Sequence, residues 1–138
     1  MNYLLDTCVL SELVAKKPNA RVLTWLEGVD EQQLFLTAVT IGEIQKGIAK
    51  LPESKRKQEL EDWLSHALLG RFENRIISLD IPVMLTWGQL VGHLEAQGEK
   101  MPAIDSLIAA TARHHQLILV TRNEADFMNS GIDLYNPW

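Results

Sequence analysis

Asp6, Glu43, Asp105, Asn123 and Asp126 each stand where an α/β chain turns at the end of a strand or enters a helix. Asp6 directly follows the apolar run Tyr3–Leu5, and Glu43 lies about two helical turns beyond the run Leu34–Leu36. Asp105 opens a segment of helical spacing after Pro102, while Asn123 and Asp126 follow the run Leu117–Val120. Acids gathered at one place repel: two unit charges about 4 Å apart cost ~4 kcal/mol at an effective dielectric near 20. Protonation of one acid relieves the repulsion. A hard divalent cation with oxygen ligands relieves it too, and adds Lewis acidity and an activated water. Hydrolysis of a phosphodiester at such a site needs no His, Ser or Cys nucleophile.

The elements that must bring these residues together are short and alternate in type. Apolar, β-prone runs at Tyr3–Leu5, Leu34–Leu36, Ile76–Leu79 and Leu117–Val120, with a weaker one near Ile132–Tyr135, read as buried strands. Between them, Leu60, Trp63, Leu64, Ala67 and Leu68 form one helical stripe, and Ile41, Ile44, Ile48 and Leu51 a second. A third helix begins at Pro102, with Ile104, Leu107 and Ile108 on one face and Ala109 and Ala112 permitting close packing. Strands alternating with helices predict a parallel sheet covered on both faces. In that arrangement the strand C-termini share one edge with the N-termini of the helices that follow, and ligands bind there.

Composition bounds the answer. A chain of 138 residues fits a single domain, residues 1–138, and one core suffices, because about 68% of its surface is buried on folding. The 46% apolar and 22% charged residues describe an ordinary globular protein. No apolar run reaches the ~18 residues of a membrane span, and the N-terminus lacks the basic segment and cleavage site of a signal peptide, so the expected place is the cytoplasm. The lone Cys8 and the scattered His66, His93, His114 and His115 offer neither disulfide nor zinc spacing. A net charge of −5 excludes a surface that grips nucleic acid everywhere, so any such role is local. A metal held by acids meets that condition by bringing its own positive charge.

The ordered set Leu4-Leu5-Asp6-Thr7, Thr40-Ile41-Gly42-Glu43 with Gly47, Ile104-Asp105-Ser106-Leu107-Ile108-Ala109, Val120-Thr121-Arg122-Asn123, Asp126-Phe127 and Asn136-Pro137-Trp138 resembles the PIN-domain family, specifically the VapC-type toxins of bacterial toxin–antitoxin pairs. The likeness runs from near residue 3 to the C-terminus. It implies a PIN-like three-layer α/β sandwich with a four- to five-stranded parallel sheet flanked by helices. It also implies a metal-dependent endoribonuclease using Mg²⁺ or Mn²⁺ on RNA, a homodimer, and a cognate antitoxin that blocks the site. Asp6, Glu43 and Asp105 match the acidic triad. The fourth place lies between Asn123, which stands where the family often has Asp, and Asp126 three residues on; Asp126 is favoured as an outer carboxylate, with Asn123 as an orienting group. Thr7 and Thr121 match polar positions that orient the acids.

Each acid also has a purely structural reading. Asp6 suits a turn or cap, Thr40 to Glu43 reads as a capping box, Asp105 complements a helix macrodipole, and Asp126 would cap a short helix. Their joint placement at one edge favours function. The tryptophans read as core and interface residues with no basic interleaving, Lys55-Arg56-Lys57 as a solvated face, and His114-His115 as a favourable helix end. Two competing readings are a metal-dependent phosphatase and a catalytically silent PIN-fold interaction module. A dehalogenase-like phosphatase needs a second acid where Cys8 stands, and a Cys8 phosphatase needs Arg where Val14 stands.

Overall fold

The computed structural model describes all 138 residues. Strands β1 (Tyr3–Leu5), β2 (Leu34–Thr37), β3 (Ile76–Ile77), β4 (Ile118–Val120) and β5 (Leu134–Tyr135) form one five-stranded sheet in the order β3-β2-β1-β4-β5. Every pairing is parallel, with Leu4 opposite both Phe35 and Leu119. The chain builds outward from β1 to β3, then crosses back to lay down β4 and β5. The switch point of this winding, where a crevice opens in sheets of this kind, therefore lies between β1 and β4.

Alternation along the strands divides the interior in two. Leu5, Leu36 and Val120 face one side, with Val9, Leu10, Val22, Leu26, Ile44 and Ile48; these come from helices α1 (Thr7–Glu12), α2 (Ala20–Gly28) and α3 (Ala38–Ala49). Leu4 and Leu119 face the other, against Leu90 and Leu94 of α6 (Ile81–Ala96), Ile108 and Ala112 of α7 (Ala103–His114), and Phe127 of α8 (Glu124–Phe127). This is the expected three-layer α/β sandwich.

Boundaries differ from the sequence reading in instructive ways. The third strand stops at Ile77 rather than Leu79, and the fourth begins at Ile118. Helix α2, with its apolar stripe of Val22, Trp25 and Leu26, and α6, which has no clean stripe, both start at caps: Asn19 accepts from the backbone N of Arg21 at 2.9 Å and of Val22 at 3.2 Å, and Asp80 accepts from that of Val83 at 3.1 Å, with Pro82 in the first turn of α6. The stripe from Leu60 to Leu68 is not one α-helix. After α4 (Lys55–Asp62) the backbone widens into a π-helical stretch, Trp63–Leu68, continued by α5 (Leu69–Arg71), and the wider turn swings Ala67 out to solvent while Leu64 and Leu68 stay buried.

Arg75, only 7% exposed, pins the β3 edge. Its guanidinium donates to the carbonyl oxygens of Glu31, Leu34 and Arg71, pairs with the Glu31 carboxylate at 3.3 Å, and lies 4.9 Å from the Phe72 ring centroid. Arg71 completes the cluster by a two-pronged contact with Glu31. Truncation would remove a donor from each of three carbonyls, of which that of Glu31 keeps the backbone N–H of Leu34. Arg75→Met is therefore expected to lower unfolding free energy by about 3 kcal/mol in a urea titration, with Arg75→Lys recovering only part of it.

Candidate active site at the strand tips

The end of β1 carries the first acid into the switch-point crevice. Asp6 extends the β1–β4 ladder by donating its backbone N–H to the Val120 carbonyl at 3.0 Å, then turns the chain into α1 as its N-cap. Its Oδ1 accepts from the backbone N of Thr7 and its Oδ2 from the Thr121 hydroxyl, each at 2.8 Å. The side chain is thus fixed from both strands that flank the crevice, and it is 6% exposed. Thr121 is fully buried, and its Oγ1 also accepts from the backbone N of Asn123 at 3.0 Å, which ties the loop after β4 to the same carboxylate.

Thr7 reaches the opposite way. Its hydroxyl donates to Glu43 Oε1 at 2.8 Å, joining the tip of β1 to the second turn of α3. Glu43 is free for this contact because the α3 cap is Thr37, which accepts from the backbone N of Thr40 at 3.2 Å. The capping box read from Thr40 to Glu43 therefore does not form, since the helix starts three residues earlier than that box requires.

Asp105 enters from α7, whose first turn has no side-chain cap. Its carboxyl is pushed from the ordinary value of 3.8 up to about 6, first by burial and then by the charges of Asp6, Asp126 and Glu43. That ordering places all four acids in one electrostatic neighbourhood. Asp126 stands exposed in α8 and does not cap it; the cap position belongs to Asn123, whose side chain makes no cap bond and is also exposed. The acids share a field without closing into a cage, as no three acidic, histidine or cysteine side chains approach to enclosing distance.

A sequence model of the PIN domain matches residues 3–129. The chain belongs to the PIN-domain family. It is 36% identical over 135 residues to Toxin FitB of Neisseria gonorrhoeae, a match covering 98% of this chain and 97% of that protein. With VapC ribonuclease Y4jK of Sinorhizobium fredii it shares 31% identity over 134 residues, 97% of this chain and 96% of the relative. The crystal structure of FitAcB from Neisseria gonorrhoeae superposes with a TM-score of 0.92 at 35% identity, covering 99% of this chain and 98% of the other.

In this PIN domain the acids at the strand tips have no histidine among them, a chemistry that suits a hard divalent cation. The one sulfur within reach, Cys8 Sγ at 3.8 Å from Asp6 Oδ2 and 3.7 Å from Thr121 Oγ1, is kept protonated because burial raises its pKa. Sequence reasoning weighed Cys8 only for disulfide, zinc and phosphatase chemistry and did not place its thiol against Asp6 and Thr121. It also missed Trp87, whose indole N–H donates to Ser106 Oγ at 2.9 Å while Ser106 donates to the Ala103 carbonyl at 2.6 Å, securing the turn that carries Asp105. The pairing was hidden because α6 shows no clean stripe. The basic run at Lys55 is partly internal, as Lys57 donates to the Leu51 carbonyl at 3.1 Å. His115 does not favour charge at its helix end, since burial and His114 lower its pKa.

The raised Asp105 pKa has a measurable consequence. The folded state holds this proton more tightly than the unfolded chain, so the stabilisation it brings is complete below 3.8 and is lost as pH rises through about 6. Metal-free calorimetric scans of the parent and Asp105→Asn should diverge across that window, with the variant the more stable above it. Parallel curves from pH 3 to pH 8, to within about 0.3 kcal/mol, would show that Asp105 feels no such field.

Proposed function

We propose that this chain is a metal-dependent endoribonuclease of the VapC type, the toxin of a toxin–antitoxin pair, which hydrolyses RNA phosphodiester bonds at the strand tips. The observation that carries the reading is the set of acids held at the strand tips: Asp6 bonded to Thr121, Glu43 to Thr7, and Asp105 half-buried under their charges and that of Asp126, with no ion pair of the chain engaging any of the four. Asp6, Glu43, Asp105 and Asp126 would hold Mg²⁺ or Mn²⁺, which when bound supplies Lewis acidity and offsets the charge of the scissile phosphate. Thr121 and Thr7 fix the carboxylates of Asp6 and Glu43 before substrate arrives. Asn123, neutral and exposed, offers an amide to orient the phosphate or the attacking water. Whole-chain similarity to Toxin FitB and VapC ribonuclease Y4jK supports the reading, and favours it over a phosphatase or a silent module.

The partner fits beside the acids. Thr7 and Glu43 open onto an apolar groove of about 310 Å³ lined by Ile44, Ile48, Leu60 and Trp63. A cognate antitoxin would seat an apolar segment there and send an Arg or Lys to the carboxylates. We take the working unit to be a homodimer of single-domain chains in the cytoplasm; no helix is long and apolar enough to cross a membrane.

Purified protein is expected to cleave single-stranded RNA with Mn²⁺ or Mg²⁺ and to stop when EDTA is added. Asp6→Asn and Asp105→Asn should each reduce cleavage to background while remaining folded; cleavage at the parent rate by either would remove the metal site. Thr121→Val should weaken Mn²⁺ binding by about 10–100-fold in calorimetry. Of the outer pair, Asp126→Ala should weaken Mn²⁺ binding more, while Asn123→Ala slows cleavage with affinity largely kept. Unchanged binding and rate for Asp126→Ala would leave a three-acid site.

Light scattering is expected to show a dimer, and coexpression with the adjacent reading frame should yield a stable complex without RNase activity. An antitoxin complex that cleaves RNA as fast as the free chain would contradict the blocking role.

A further inference from the structure

We propose that the groove between α2 and the β5 edge is the seat for the single-stranded RNA flanking the scissile phosphate, with Tyr135 stacking a base and Arg21 and Arg122 meeting the backbone. This inference rests on the nuclease reading and gives that site a substrate track.

The groove, about 360 Å³, is lined by Arg21, Trp25, Tyr135 and Pro137 among others. Tyr135 is 41% exposed, and its ring lies 5.3 Å from that of Trp25 at an interplanar angle of 35°. Trp25 in turn meets Tyr3 edge-on at 5.1 Å, so one side of the stack is anchored in the core and the other is open. An open aromatic face of this kind accepts any base, because every base has a π-face. The groove is tied to the acids through the sheet, although none of them lines it. Tyr135 pairs with Val120 across the β4–β5 ladder, and its carbonyl accepts from the backbone N of Thr121 at 3.0 Å, the residue whose hydroxyl holds Asp6.

Charge decides between RNA and protein as occupant. The chain's ion pairs engage Lys55, Lys57, Arg71 and Arg75, and Arg21 and Arg122 are among the cations that form none. Both are exposed, and Arg122 lies 5.5 Å from the Trp138 ring centroid, a stack that holds the guanidinium plane while leaving its N–H edge free. An antitoxin segment that neutralises the acids must be cationic, and two free guanidiniums repel it. A polyanion is drawn to the same two groups, on a protein whose net charge is −5. Through the fold Trp138 gains a cationic neighbour that sequence order did not offer, Arg122, while Arg21 and Trp25 line the same groove.

The test compares a single-stranded oligoribonucleotide of about eight nucleotides with a dinucleotide that spans only the scissile bond. Cleavage is followed in Mn²⁺, and oligomer binding by anisotropy in EDTA, where no cleavage occurs. Tyr135→Leu is expected to reduce the preference for oligomer over dinucleotide by about tenfold, and Tyr135→Phe to keep it. Arg21→Gln and Arg122→Gln should each flatten the slope of log affinity against log salt by about 0.7. The Phe variant guards against misfolding as the cause, and thermal midpoints of all four variants confirm the fold. Equal oligomer preference in parent, Leu and Phe variants overturns the proposal while leaving the nuclease reading intact. So does a Tyr135→Leu protein that keeps its RNA preference but no longer copurifies with the antitoxin, which would give the groove to the protein partner. A parent chain that binds the oligomer in EDTA through Tyr135 but cleaves nothing would refute the nuclease reading and retain the track.

Discussion

The contact on which the site depends is the 2.8 Å hydrogen bond from Thr121 to Asp6, made where β1 and β4 end side by side. It joins the two strands between which the winding of the sheet reverses, and it fixes a carboxylate that would otherwise turn away from its neighbours. Through Thr7 the same acid is coupled to Glu43, and through the backbone N of Asn123 to the loop after β4. Repulsion among the acids is thus opposed by hydroxyls and backbone amides, not by cations of the chain. The cluster keeps its shape and its net negative charge together, which is the combination a metal-binding site needs.

Much of this was legible in the sequence, and the reason is the parallel sheet. Once Tyr3–Leu5 and Leu117–Val120 read as buried strands, topology alone sent Asp6 and Asn123 to one edge, and Pro102 placed Asp105 in the first turn of a helix that starts there. Glu43 and Asp126 followed by spacing. What local pattern did not contain were contacts between elements far apart: Trp87 with Ser106, Arg122 with Trp138, Trp25 with Tyr135. No periodicity links such partners. The capping box at Thr40 misled for a related reason, since Thr37 offers the same chemistry one turn earlier and the strand before it ends there. The π-helical stretch at Trp63–Leu68 also left no mark, because its apolar spacing reads equally well as α-helical until the extra width turns Ala67 outward.

Two kinds of polar chemistry divide the surface near the strand tips. On the α3 side Glu43 borders an apolar groove, and beyond β5 a second groove is lined by aromatic rings and Arg21. On the proposed readings, a cationic partner and a phosphate chain would reach the carboxylates from these two different sides. Inhibition would then leave the shape of the substrate track unchanged.

Both outer strands of the sheet, β3 and β5, are two residues long. A rim so brief exposes almost no free backbone ladder for another copy to extend, and at β3 the buried Arg75 guanidinium already occupies the neighbouring carbonyls. Stacking of copies into fibrils through their sheets is therefore discouraged by architecture. A chain of this build resists edge-to-edge association even where many copies are crowded together.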